Sequence, residues 1–88
     1  MNNERRKQIE AVKERIAALL SEAENIKTDM EAIRDEEQDY RDNMPESFAD
    51  GEKGEKADAA IGALEQVIED LESLIENDFD GQLDTAAE

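Results

Sequence analysis

Carboxylates are the most abundant reactive groups in this chain: 26 of its 88 residues are Asp or Glu, and it has no His and no Cys. Oxygen ligands of this kind either hold a hard divalent cation or present negative charge. Without imidazole or thiolate there is no ordinary zinc site, no thiol nucleophile and no histidine general base. Ser21, Ser47 and Ser73 have no base close to them in sequence, so nucleophilic catalysis lacks a partner. Two carboxylate sets have spacings suited to a cation. The run Glu76-Asn77-Asp78-Phe79-Asp80-Gly81-Gln82-Leu83-Asp84 alternates oxygen-bearing side chains and turns at Gly81. The other set joins Glu36-Glu37 to Glu55-Lys56-Ala57-Asp58, which would let Mg²⁺ bridge the acids to substrate phosphates.

The first set resembles part of an EF-hand calcium loop, with two departures. Glu76 stands where the loop wants Asp, and the closing bidentate Glu falls on Ala87, one residue before Glu88. The preferred reading is a polar helix terminus in which Gly81 supplies a turn. The second set resembles the acidic signature of the all-α nucleotide pyrophosphohydrolases. Such an enzyme needs further helices to enclose a base and basic groups to receive phosphates, and this chain is poor in both. We therefore read the chain as non-enzymatic, with no metal and no cofactor implied.

Charge is distributed unevenly. In the first 34 residues seven bases balance seven acids, so the net charge of -16 lies in residues 35–88, where 19 acids meet only Arg41, Lys53 and Lys56. No base follows Lys56. Like charges one helical turn apart repel by about 0.2–0.5 kcal/mol a pair, so a chain that keeps them is expected to present an anionic surface to something. Direct binding of nucleic acid, nucleotides or anionic lipid is disfavoured by repulsion.

Two helices must position these acids. Ile9, Ile16, Ala23 and Met30 recur every seven residues, and Val12, Leu19, Ile26, Ile33 and Tyr40 form a second series three positions later. This 3-4 alternation predicts a long helix with a coiled-coil seam over about 4–43. Pro45 ends it, and a connector follows over about 44–54. Ala57, Ile61, Leu64, Ile68, Leu71 and Ile75, flanked by Ala60, Val67 and Leu74, predict a second helix over about 55–77. Its opposite face carries Asp58, Glu65, Glu69, Glu72 and Glu76. Residues 78–88 are expected to be a frayed acidic tail. Gly62 is expected to permit close helix approach, and Tyr40, Met44 and Phe48 to plug the closed end.

The fold class expected is thus all-α: one domain over 1–88, an antiparallel helical hairpin with a long first helix. The shorter second helix covers the first only down to about Leu19, leaving Ile9, Val12, Ile16, Leu19 and Leu20 without a partner. Burying five such side chains is worth about 7–15 kcal/mol gross, so self-association into a dimeric coiled coil or four-helix bundle is expected. No run approaches the roughly 20 apolar residues of a membrane span, and the charged N-terminus has no signal-peptide pattern. A cytoplasmic setting is expected.

The segment Arg34-Asp35-Glu36-Glu37-Gln38-Asp39-Tyr40-Arg41-Asp42-Asn43-Met44-Pro45-Glu46-Ser47 resembles one in small acidic helical proteins of tailed bacteriophages and prophages. The resemblance implies a bacterial host cytoplasm. Proteins of that class suggest an inhibitor or DNA mimic directed at a basic nucleic-acid-binding or defence protein. Carboxylates at Asp58, Glu65, Glu69, Glu72 and Glu76 would bind that basic host protein, with Asp35, Glu36, Asp39 and Asp42 extending the surface around the turn. A row repeating at about 5–6 Å could imitate backbone phosphates. The competing reading is a structural or scaffolding helical oligomer, and the lesser one a Mg²⁺-dependent pyrophosphohydrolase-like enzyme.

Overall fold

The first helix, α1, runs unbroken from Asn3 to Asp42 because nothing in that span interrupts helical geometry: no Gly, no Pro, and many Ala, Glu, Lys and Arg. Asn2 caps its start, the side chain accepting from the Arg5 amide at 2.8 Å. At its end the Asn43 amide Nδ2 donates to the Asp39 carbonyl at 2.8 Å. Pro45 then starts a single turn, α2 (Glu46–Ala49), and Gly51 leads into α3 (Glu52–Glu76). A fourth helix, α4 (Phe79–Ala86), completes the chain. The computed structural model describes all residues, Met1–Glu88. It is an all-α hairpin with a long first helix, elongated to 68 × 16 × 13 Å, and no helix is long and apolar enough to cross a membrane.

Two ion pairs define the antiparallel register. Lys27 meets Glu72 at 3.1 Å and Arg41 meets Asp58 at 2.9 Å. Between the helices lie Ala23, Ala57, Ile61 and Ile68, the only apolar side chains that are buried. Gly54 is buried with them. Two packed helices cannot surround a side chain, so this core is one residue deep.

Residues 78–88 depart from the expected frayed tail. Asp78 caps α4, accepting from the Gly81 amide at 2.9 Å, and Phe79 and Leu83 fall one turn apart on one side of the helix. Phe79 shares a cleft with Ile16, Ala17 and Leu20, while Leu83 shares one with Met1, Ile9 and Val12. Lys13 reaches Asp84 at 2.7 Å, and Arg6 donates to the carbonyls of Ala87 and Glu88 at 2.8 and 3.1 Å. Eight residues are too few for a stable isolated helix. Here the cap and the contacts to α1 supply what length does not. The start of α1 is therefore not bare: Ile9, Ile16 and Leu20 are half-buried under α4.

The close approach expected at Gly62 is made at Gly54 instead. A Cβ on Gly62 would meet nothing within 4 Å, so this glycine permits no close approach. A Cβ on Gly54 would lie 1.9 Å from the Ala49 carbonyl oxygen and 2.6 Å from its carbon. The close approach is made there, where the first turn of α3 rests on the backbone of α2.

Candidate protein-binding faces

On α1 the series Ile9, Ile16, Ala23 and Met30 turns toward the neighbouring helices, with a row of cations on one flank. Lys13, Lys27 and Arg41 are spaced fourteen residues apart and engage Asp84, Glu72 and Asp58 in turn. Each cation has its pKa raised, chiefly by the hydrogen bond to that carboxylate, which outweighs the opposing desolvation, with the field of nearby acids adding to the rise. One edge of the hairpin is thus laced by ion pairs along its whole length.

Of the nine acids expected to bind a partner, the structure engages four within the chain. Asp58 and Glu72 hold Arg41 and Lys27, Asp35 pairs with Arg34 at 3.1 Å, and Asp42 accepts from Gln38 at 2.9 Å. Glu65, Glu69, Glu76, Glu36 and Asp39 are exposed, and their carboxylates make no hydrogen bond or ion pair within the hairpin. Glu65 to Glu76 spans about 16 Å at 1.5 Å per residue. The Arg41–Asp58 pair sets Glu36 and Asp39 alongside the stretch of α3 that follows Asp58, so the free acids of both helices lie toward the closed end and middle of the hairpin. Only six of the 26 acidic side chains, Glu10, Asp35, Glu52, Asp58, Glu72 and Asp84, form any ion pair.

The residues with possible metal-binding spacing do not converge: no group of three acids is placed to hold an ion. Asp78 directs a carboxylate oxygen at its own helix start, and Asp58 is turned to Arg41.

The other edge of the hairpin was not separable from the seam by periodicity alone. Val12, Leu19, Ile26, Ile33 and Tyr40 are 42, 54, 41, 49 and 53% exposed. Of the five residues expected to mediate self-association, Val12 and Leu19 belong to this open stripe, whereas Ile9, Ile16 and Leu20 lie toward α4. On α3, Val67 is 42% exposed. It belongs with Ala60 and Leu74 on the edge away from Asp58 and Glu72, since two residues' advance is roughly 200° around the helix. The signal that could have found this face is the fourteen-residue match of Lys27 and Arg41 to Glu72 and Asp58, which assigns one flank of the seam to charge and leaves the other apolar.

The closed end also differs from expectation. Tyr40 and Phe48 do not plug it. Phe48 is 47% exposed with the Lys53 ammonium 4.8 Å above its ring. These side chains line an open cleft of about 280 Å³ with Asn43, Met44 and Pro45. The contact of Gly54 with Ala49 leaves no space for an aromatic ring between α2 and α3. Comparison with known protein families, with curated proteins and with solved structures finds no match to this chain.

Proposed function

We propose that the protein is a non-enzymatic binding module that engages a basic, nucleic-acid-binding host protein through its free carboxylates. It acts as a self-associated dimer in a bacterial cytoplasm, in the manner of a phage-encoded inhibitor that imitates DNA. The observation that supports this reading is the way charge is satisfied. Lys13, Lys27, Arg34 and Arg41 of α1 pair within the hairpin, while Glu65, Glu69, Glu76, Glu36 and Asp39 remain free and exposed. An anionic surface without interleaved bases attracts a basic partner at long range and repels nucleic acid itself.

The test replaces Glu36, Glu65, Glu69 and Glu76 by Gln and Asp39 by Asn, leaving Asp58 and Glu72 to their ion pairs. Pull-down from bacterial lysate at low and high salt, with bound proteins identified by mass spectrometry, should recover a basic DNA-binding protein with the wild type. The interaction should weaken steeply above about 0.1 M salt, compete with duplex DNA, and be lost in the folded variant. Binding that ignores both salt and the five substitutions would instead favour the scaffolding reading, in which the acids only keep the oligomer soluble.

A further inference from the structure

The stripe Val12, Leu19, Ile26, Ile33, Tyr40 has a property that the inward series lacks: turned end for end about its central residue it sets apolar against apolar at every level, whereas the inward series would set Ile9 against Glu37. Ile26 has Leu19 and Ile33 at seven residues on either side, and Val12 and Tyr40 at fourteen. The series turned toward α3 is the poorer of the two, with Ala at 23 and Glu at 37. The bulkier residues are those left exposed. We infer that this face is the interface of a homodimer in which two hairpins pack in opposite directions, α1 against α1, about a two-fold axis passing close to Ile26.

In that arrangement Ile26 meets its own copy, Leu19 lies opposite Ile33 of the second chain, and Val12 lies opposite Tyr40. Because Lys27 meets Glu72, the axis also passes close to Leu74, while Val67 and Ala60 of α3 lie opposite α4 of the second copy, giving a bundle with every neighbouring pair antiparallel. The open cleft at Tyr40, Met44 and Phe48 then faces the second copy's cleft at Met1, Val12 and Leu83.

Charge selects the direction. Residues 35–58, at the closed end, hold ten acids and three bases; residues 1–16 with 78–88, at the open end, hold seven acids and five bases. Packing in the same direction would place two strongly anionic closed ends together. Opposite packing sets each against a nearly balanced open end. The stripe spans about 42 Å at 1.5 Å per residue, and the hairpin is 16 Å wide. The footprint is thus about 670 Å² per copy, near 1,300 Å² in total, within the range of stable interfaces.

The inference rests on the self-association in the proposed function and not on the acidic surface, so the two are tested apart. Sedimentation equilibrium at micromolar concentration should give twice the 9.9 kDa chain mass. Ile26→Glu, which sets two carboxylates against each other on the axis, should weaken the dimer at least about a hundredfold while the far-ultraviolet spectrum stays helical. The chain has no native Cys, which permits a readout of geometry. Under mild oxidation Ile26→Cys should form a covalent dimer. Leu19→Cys alone should not, because its copies would lie about 21 Å apart, whereas an equimolar mixture of Leu19→Cys and Ile33→Cys should cross-link. A monomeric wild type would overturn self-association itself. A dimer in which Leu19→Cys links to itself as readily as Ile26→Cys would overturn only this arrangement, and neither result bears on salt-dependent capture of a basic partner.

Discussion

Substituting Ala at Gly54 and at Gly62 should change stability in opposite directions, although both glycines lie within the same helix. In a helix interior Ala is favoured over Gly by about 0.8–1 kcal/mol, because Gly loses more backbone freedom on folding. At Gly62 a Cβ has nothing within 4 Å, so Gly62→Ala should realise most of that gain. For a domain of this size 1 kcal/mol corresponds to about 4–8 °C in Tm. At Gly54 the same propensity gain is opposed by a Cβ placed 1.9 Å from the Ala49 carbonyl oxygen, 2.6 Å from its carbon and 3.0 Å from its Cα. All three are backbone atoms, so no rotamer change relieves the overlap and α2 must move off α3. Overpacking of this kind costs about 1–3 kcal/mol. Since α2 is one turn long, with few other contacts to hold it, we place the net loss near 1–2 kcal/mol. Thermal unfolding followed at 222 nm, at one fixed protein concentration because association shifts Tm by mass action, measures both. If Gly54→Ala were as stable as Gly62→Ala, the close contact of α3 with α2 would be wrong, and with it the account of why the aromatics lie outside the turn.

The cap of α4 should be as sensitive as its shortness implies: Asp78→Ala should cost about 0.5–2 kcal/mol and remove amide protection from residues 79–86 in hydrogen exchange while leaving α1 and α3 protected. Lys13 and Lys27 have raised pKa values in the folded chain, through their hydrogen bonds to Asp84 and Glu72, so folding makes them hold their protons more tightly. Their contribution is complete below the ordinary lysine value of 10.5 and is lost as pH rises through the raised values. The Tm advantage of wild type over a Lys13→Met, Lys27→Met variant should therefore be constant from neutral pH up to 10.5 and shrink only above it, as checked by melts across that range. Because the chain carries a net charge of -16, added salt should raise Tm by screening self-repulsion. A Tm that falls between low and moderate NaCl would mean that the cross-helix ion pairs outweigh that repulsion.

Much of the architecture was legible in one dimension. The two heptad series, Pro45 and the apolar run from Ala57 to Ile75 suffice for two antiparallel helices of unequal length, because helical periodicity and the geometry of proline are local properties. The charge asymmetry and the absence of His and Cys are likewise properties of the chain alone. What the linear pattern could not decide is which flank of a seam faces inward. Series separated by three residues lie on adjoining sides of one helix, and only the position of a second helix makes one of them interior. Here the pairing of Lys13, Lys27 and Arg41 on α1 with Asp84, Glu72 and Asp58 places α3 and α4 on one side, and the bulkier stripe is left open. Tertiary structure also decided the fate of residues 78–88. Their helix is too short to stand alone, and it forms because Asp78 caps it and Phe79, Leu83 and Asp84 find α1 beside them. The same applies to Gly54 and Gly62, identical as letters and opposite in role, because steric contact with a residue of another element is settled only once the chain has folded back on itself.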